Sequence, residues 1–154
     1  SAVRVMKDLR ASKTKRSATL DKRASSTMDK DFVRTFKQVK KAILSNDAEA
    51  VAKFVSFPVA DSAWIARPDL YDGDLDREGF IKGFKVLFTD FALREIAKKS
   101  LKDVHEHEGS YSFWFKMGED EVDPDGGYFE ASAGGLKLEK VNGKWMIVGL
   151  LMAG

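Results

Sequence analysis

Apolar residues between positions 31 and 45 recur every three or four residues. They are Phe32, Phe36, Val39 and Ile43, and mostly polar or basic residues separate them. This spacing puts one apolar stripe along one side of a helix. The pattern therefore predicts an amphipathic helix that packs against a core.

Two further helices are predicted from apolar runs that follow a capping aspartate. Asp47 precedes a short run over 48–55, and Asp76 precedes a run that reaches Phe88. A short carboxylate in this position accepts hydrogen bonds from the free amides of the first helical turn. Between these helices we expect a short strand over 59–66.

In the last third of the chain the apolar spacing changes to two. Tyr111, Phe113 and Phe115 alternate with other residues and so share one face of a strand. The Asn142-Gly143 pair predicts the tight turn of a hairpin, because both residues tolerate positive φ. Together these patterns predict an α+β fold, with N-terminal helices packed on a curved antiparallel sheet.

The final strand, over 145–152, is apolar on both faces. Strict alternation gives one face with Trp145, Ile147 and Leu151 and a second face with Met146, Val148, Leu150 and Met152. One face is expected to pack on the helices. The other needs a cover, which the N-terminal segment, a neighbouring element or a partner subunit could supply. In the preceding strand, Gly134-Gly135 predicts a bulge or a strong bend.

The net charge of +2 over 154 residues is unevenly distributed. Residues 1–30 carry nine Lys or Arg against three Asp or Glu, whereas residues 31–154 carry seventeen against twenty-one. We therefore expect a basic polar leader over 1–29, flexible or loosely docked, and one folded domain over 30–154. The leader has no aromatic residue for stacking on bases, so nucleic-acid binding is not expected.

Cysteine is absent, which excludes disulfides, thiolate metal sites and cysteine nucleophiles. No apolar run has the length of a transmembrane helix. The chain opens on Ser rather than Met, which fits removal of an upstream segment. On that ground we expect an exported or periplasmic location rather than a cytoplasmic one.

Several segments taken in order resemble one known family. They are the opening helix Phe32-Val33-Arg34-Thr35-Phe36-Lys37, its end at 42–47, the segment 51–58, the helix that starts at Asp76, and the hairpin Asn142-Gly143-Lys144-Trp145. Over about residues 30–152 the chain resembles the NTF2-like superfamily, the cystatin-like α+β cone, as an uncharacterised bacterial-type member. The resemblance implies a pocket at the open end of the cone and a homodimer formed through the sheet. No catalytic motif of the family's isomerases matches position by position.

Six residues are the best candidates to approach such a pocket. A carboxylate in an apolar pocket is a suitable general base, so Asp61 is the candidate base, with Tyr111 or Tyr128 as proton donor. The candidate ligand-pocket residues are Trp64, Tyr71 and Trp114. Tryptophan and tyrosine are also common in cores, so a packing role for these residues stays open.

His105 and His107 are the two histidines of the chain. Two residues apart on a strand, they point to the same side and form a weak candidate metal site. Two ligands are too few for a metal centre, and an exposed charged strand is the simpler interpretation. We expect neither a metal nor another cofactor. The acidic segment 121–126 is predicted to be an ordinary hairpin loop rather than a calcium loop.

Two classes of function remain open. The first, which we favour, is a non-enzymatic NTF2-like domain that binds a small apolar ligand or a protein partner through the cone pocket or the sheet face. The second is a small lyase, isomerase or hydrolase that uses a pocket carboxylate. A cavity with an ionisable pair would favour the second class, and an interior filled by Phe and Leu would favour the first.

Overall fold

The computed structural model describes residues 28–63 and 73–153 of the chain. The helices are α1 (Lys30–Leu44), α2 (Ala48–Ala52), α3 (Arg77–Leu87) and α4 (Asp90–Ala97), followed by a 3-10 turn at Leu101–Asp103. The strands are β1 (Val55–Asp61), β2 (Gly73–Leu75), β3 (Val104–His107), β4 (Ser110–Lys116), β5 (Glu121–Val122), β6 (Tyr128–Phe129), β7 (Ala133–Val141) and β8 (Lys144–Ala153). Residues 1–27 of the predicted leader lie outside the described residues, so its character stays a prediction.

The predicted helix caps are confirmed. The Asp47 carboxylate accepts a hydrogen bond from the Ala50 amide at 3.1 Å, and Asp76 accepts one from the Gly79 amide at 2.7 Å. The second helix is shorter than predicted and ends at Ala52. The chain then enters β1, which passes through Phe57-Pro58 and ends earlier than the strand predicted over 59–66.

Six strands form one mixed sheet in the order β2-β1-β8-β7-β4-β3. All neighbours run antiparallel except β1 and β8, which are parallel, so the expectation of a purely antiparallel sheet is wrong at this pair. At this pair, β1 lies beside the last strand and runs in the same direction. The α+β class, with helices on a curved sheet, is confirmed.

The last strand contains an insertion that changes its two faces. Lys137 pairs with Gly149 and Leu138 pairs with Ile147, so Val148 has no opposite residue in β7 and forms a bulge. Beyond the bulge the alternation shifts by one. The inner face carries Trp145, Ile147, Leu150 and Met152, and the outer face carries Met146, Val148 and Leu151. The predicted assignment of Leu150, Leu151 and Met152 is therefore wrong, because it assumed uninterrupted alternation.

A continuous chain of aromatic rings fills the space between the helices and the sheet. Neighbouring ring centroids lie between 3.8 and 6.1 Å apart. In spatial order the rings are those of Phe57, Phe80, Phe84, Phe88, Phe115, Phe113, Phe36 and Phe32, which then contacts both Tyr111 and Trp145. Each such pair contributes about 0.5–1.5 kcal/mol beyond its buried area. The chain of rings therefore links β1, α3, the sheet and α1 into one core.

The Gly134-Gly135 pair lets large side chains pack on both faces of β7. A Cβ at Gly134 would lie 2.8 Å from Leu87 and 2.9 Å from the Phe115 ring, and a Cβ at Gly135 would lie 2.9 Å from the Trp114 indole. The pairing of β7 with its neighbours is unbroken at these residues. The bulge therefore lies in the neighbouring strand β8 rather than at these glycines. The two glycines allow the side chains of Leu87, Phe115 and Trp114 to pack closely against β7.

We expect Gly134→Ala to lower the free energy of unfolding by about 1–3 kcal/mol, because the new methyl group overpacks the contact with Leu87 and Phe115. Denaturant unfolding measures the change. Gly118→Ala is the matched control, since nothing lies within 4 Å of a Cβ there, and it should change stability by less than about 0.5 kcal/mol. Equal stability of the two variants would contradict the packing role.

Candidate functional site

The inner face of the sheet, where the cone pocket was expected, is filled by side chains in its described part. A gap of about 10 Å³ remains between α1 and the sheet, lined by residues that include Phe36, Phe113 and Leu136. This volume is at the lower limit for a single water molecule. An interior packed by Phe and Leu is the arrangement that favours binding or association over pocket chemistry.

Asp61 lies at the end of β1 and is 6% exposed. It pairs with Leu150 of β8, and the same row continues through Leu136 to Phe113. The other residues of this row are thus apolar. Among residues 28–63 and 73–153, Asp61 is the buried charged residue.

The two candidate donors lie far from Asp61 along the sheet. Tyr111 is in β4, three strand spacings or about 14 Å from β1 by ordinary sheet geometry. Its ring stacks on Phe32 at 3.8 Å and contacts Trp145 at 5.1 Å, which gives it a packing role. Tyr128 is 59% exposed on the β5–β6 hairpin. The assignment of a catalytic base and donor stays a prediction.

Tyr128 belongs instead to a hydrogen-bonded cluster around Asp120. The Asp120 carboxylate accepts hydrogen bonds from the Tyr128 hydroxyl at 2.6 Å, the Ala131 amide at 2.9 Å and the Lys116 ammonium at 2.9 Å. The Tyr128 hydroxyl, followed by the Ala131 amide and Lys116, holds the pKa of Asp120 well below its usual range. The Asp120 carboxylate in turn raises the pKa of both Tyr128 and Lys116. These contacts fix the hairpin to the end of β4.

The predicted pocket residues do not share one location. Trp64 and Tyr71 lie outside the described residues. Trp114 lies on the outer face of the sheet, opposite the side on which Phe113 and Phe115 are buried, because successive strand residues alternate. Trp114 therefore does not face the inner side of the sheet, and its role as a ligand-pocket residue stays a prediction.

His105 and His107 are exposed on β3, the strand at one edge of the sheet. In the part of the chain that the structure describes, no group of three or more His, Cys, Asp or Glu side chains is placed to hold a metal ion. The segment 121–126 forms the predicted hairpin, with β5 paired to β6.

The outer face of the sheet carries a group of apolar side chains that we term the outer stripe, defined as Trp114, Val148 and Leu151. Trp114 pairs with Gly135, which pairs with Leu151, so these residues form one row over β4, β7 and β8, and Val148 lies at the bulge of β8 outside this row. The indole of Trp114 covers Gly135 directly. The outer-stripe residues are half-buried within a single chain. Sequence patterns missed the position of Leu151, since no local signal marks the bulge at Val148.

A cleft of about 530 Å³ lies between α4 and the loop after β4. Its charged lining residues are Arg94, Lys98 and Lys116 on the basic side and Glu95, Glu119 and Asp120 on the acidic side. Lys98 pairs with Glu95 at 3.4 Å, and Lys116 pairs with Asp120. The charges balance, so the cleft favours neither an anionic nor a cationic ligand.

Comparisons with known proteins give likenesses of fold. No family model and no curated protein matches the chain. Among solved structures, it is similar to an uncharacterised cystatin-fold protein from Novosphingobium aromaticivorans, with 10% identity, TM-score 0.46, and coverage of 79% of this chain and 97% of that one. It is also similar to an NTF2-like protein of unknown function from Shewanella oneidensis, with 12% identity, TM-score 0.43, and coverage of 81% and 98%.

A third similar structure is the association domain of C. elegans CaMKII, with 14% identity, TM-score 0.38, and coverage of 81% of this chain and 94% of that one. The first two of these structures are described as cystatin-fold and NTF2-like proteins, the superfamily that the sequence resembles. Such low identities concern the fold alone, and NTF2-like folds serve unrelated functions. No helix among the described residues is long and apolar enough to span a membrane.

The Asp120 cluster gives a pH-dependent prediction. The pKa of Asp120 is lowered in the folded state, so its contribution to hairpin stability is present above its ordinary value of 3.8 and is lost as the pH falls through the folded pKa. The pKa values of Tyr128 and Lys116 are raised, so their contributions are present below their ordinary values of 10.0 and 10.5 and are lost at higher pH.

We therefore expect the amide NMR signal of Ala131 to stay constant between about pH 5 and 9 and to move on acidification. In Asp120→Asn this acid-induced movement should disappear. Asp125→Asn, in the same hairpin, is the matched control and should keep it. An Ala131 signal that titrates identically in all three proteins would contradict the role of Asp120.

Proposed function

We propose that this domain functions by association, and that two copies bind each other through the outer face of the sheet. The outer stripe forms the centre of this interface. The observation that carries the proposal is the row of Trp114, Gly135 and Leu151, in which a large aromatic side chain lies flat across a glycine on the face away from the helices. Aromatic residues are enriched at the centres of protein interfaces.

The small residues on the outer face support this proposal. Gly135 and Gly149 both face outward, and a Cβ at Gly149 would contact Lys137 at 3.4 Å. Small residues beside a flat indole let a second sheet approach to the usual face-to-face distance of about 10 Å. Charge does not oppose the contact, because Lys137 is paired with Glu139 at 3.3 Å on this face.

The size of the face is adequate for a dimer. Six strands spaced about 4.8 Å apart span roughly 29 Å, and a seven-residue strand is about 23 Å long. The resulting face of roughly 650 Å² is close to the 800 Å² or so that each partner contributes to an interface of standard size. The dense packing of the inner face, among residues 28–63 and 73–153, supports association rather than the binding of a small apolar ligand as the main function.

We expect Val148→Asp to weaken the dimer at least about tenfold, because it buries an unpaired carboxylate in the interface. Light scattering over a concentration series measures this, with the wild-type mass approaching twice 17.2 kDa at high concentration. Val122→Asp is the matched control, since Val122 is 72% exposed on the β5–β6 hairpin, and it should dimerise normally. A wild-type monomer at all concentrations would refute the proposal.

A second candidate function is proton abstraction by Asp61. It is favoured by the burial of this carboxylate at the end of β1, on the inner face of the sheet. The corresponding reaction would be that of a small lyase, isomerase or hydrolase with Asp61 as general base.

Exchange of substrate protons in deuterium oxide tests this candidate with a panel of ketones and enones, followed by proton NMR. We expect Asp61→Asn to abolish any exchange that the wild-type protein catalyses, because the amide is not a base. Glu106→Gln, on the exposed edge strand, is the control and should keep it. Unaltered exchange in Asp61→Asn would exclude this role for Asp61.

A further inference from the structure

A groove of about 440 Å³ lies between α1 and the hairpin that joins β7 to β8. Three basic side chains line it, namely Arg34 from α1, Lys53 from the turn after α2, and Lys144 from the hairpin. Asp31 also lines it and lies 3.9 Å from Arg34, with both side chains largely exposed. An ion pair between two exposed side chains is weak. With three basic residues and one acidic residue, the lining of the groove has a net positive charge.

The basic character of this groove differs from that of the surrounding domain. Residues 31–154 carry four more acidic than basic side chains. Within the part of the chain that the structure describes, Lys53 and Lys144 form no ion pair with another side chain. Both ammonium groups are therefore available to a ligand from outside the chain.

The apolar part of the groove is formed by Trp145 and Phe54. Trp145 is 7% exposed, and its indole Nε1 donates a hydrogen bond to the Asp29 carboxylate at 3.2 Å. The ring also contacts Phe32 edge-on at 5.4 Å. These two contacts fix the Trp145 ring in the unbound protein. Because the ring does not have to be ordered by a ligand, the entropic cost of binding is lower.

Asp29 fixes the two walls of the groove relative to each other. Its carboxylate accepts hydrogen bonds from the Asp31 and Phe32 amides at the start of α1, and it also lies 3.5 Å from Lys140 of β7. The Phe32 amide, together with the Trp145 indole and Lys140, holds the pKa of Asp29 below its usual value. The carboxylate is thus ionised at neutral pH and joins helix to hairpin.

Polar groups on α1 complete the recognition surface. Thr35 and Gln38 line the groove one helical turn apart. A hydroxyl and a carboxamide can each donate and accept hydrogen bonds, as a peptide backbone requires. Basic groups from three separate elements suit an extended ligand that carries more than one carboxylate.

We propose that this groove binds a short acidic peptide segment of a partner protein. Its carboxylates contact Arg34, Lys53 and Lys144, and an apolar side chain packs on Phe54 and Trp145. A nucleic acid is disfavoured, because base stacking needs an open aromatic face and the Trp145 ring in the groove is 7% exposed.

The test uses a fluorescein-labelled peptide in which four glutamates flank one phenylalanine, with fluorescence anisotropy measured on the whole chain. We expect saturable binding that weakens as salt rises. Arg34→Glu should weaken it at least about tenfold, because a charged hydrogen bond becomes a repulsion. Lys37→Glu reverses the same charge on an exposed position of the same helix outside the groove and should change affinity less than about threefold.

Three results would overturn the proposal. The first is no saturable binding by the wild-type chain up to millimolar concentration. The second is an equal loss of affinity in Arg34→Glu and Lys37→Glu, which would indicate non-specific attraction. The third is tighter binding of a labelled ten-nucleotide oligothymidine than of the peptide, which would assign the groove to nucleic acid. Circular dichroism and thermal unfolding of both variants check that the fold is intact.

Discussion

The chain of aromatic rings from Phe57 to Trp145 is the interaction on which the rest of the structure depends. It starts at β1, passes along α3, crosses the sheet, and returns through Phe36 and Phe32 of α1 to the last hairpin. Because each ring contacts the next, the helices are held at fixed positions over the sheet. Between the described helices and the sheet this packing leaves little free volume, and the described surfaces that we propose for recognition lie at the outside of the sheet and beside α1.

The bulge at Val148 determines what the outer surface presents. Without this insertion, Leu150 would face outward and Leu151 would be buried, as the uninterrupted alternation of β8 predicts. With it, Leu150 joins the core at 0% exposure, and Leu151 comes beside Trp114 on the outer face. A single extra residue thus creates the outer stripe. The glycine pair in β7 also contributes, because the Phe115 ring packs against Gly134 on the inner face and the Trp114 indole packs against Gly135 on the outer face.

The elements were predictable from the sequence where the signal is local. Asp47 and Asp76 cap helices through hydrogen bonds to nearby amides, and the Asn142-Gly143 turn needs only its own two residues to adopt positive φ. The faces of β8 were not predictable, because a bulge is a property of the pairing between two strands. The parallel pairing of β1 with β8 joins segments about ninety residues apart and leaves no local pattern. The site residues follow the same division: the face of Trp114 follows from local alternation with Phe113 and Phe115, whereas its neighbour Leu151 depends on the bulge in β8.

The outer stripe lies on the outer face of the sheet, whereas the basic groove opens between α1 and the hairpin of β7 and β8. The groove is walled by α1, which packs on the inner face through Phe32 and Phe36, whereas the stripe lies on the face that the helices leave uncovered. Association through the stripe would therefore leave both grooves of a dimer open. Two grooves held in one particle bind a partner with repeated acidic segments more tightly than one groove does, because the second contact is intramolecular. A dimer formed through the stripe would in this way hold two peptide grooves at a spacing set by the sheet, and the two proposed sites would act together.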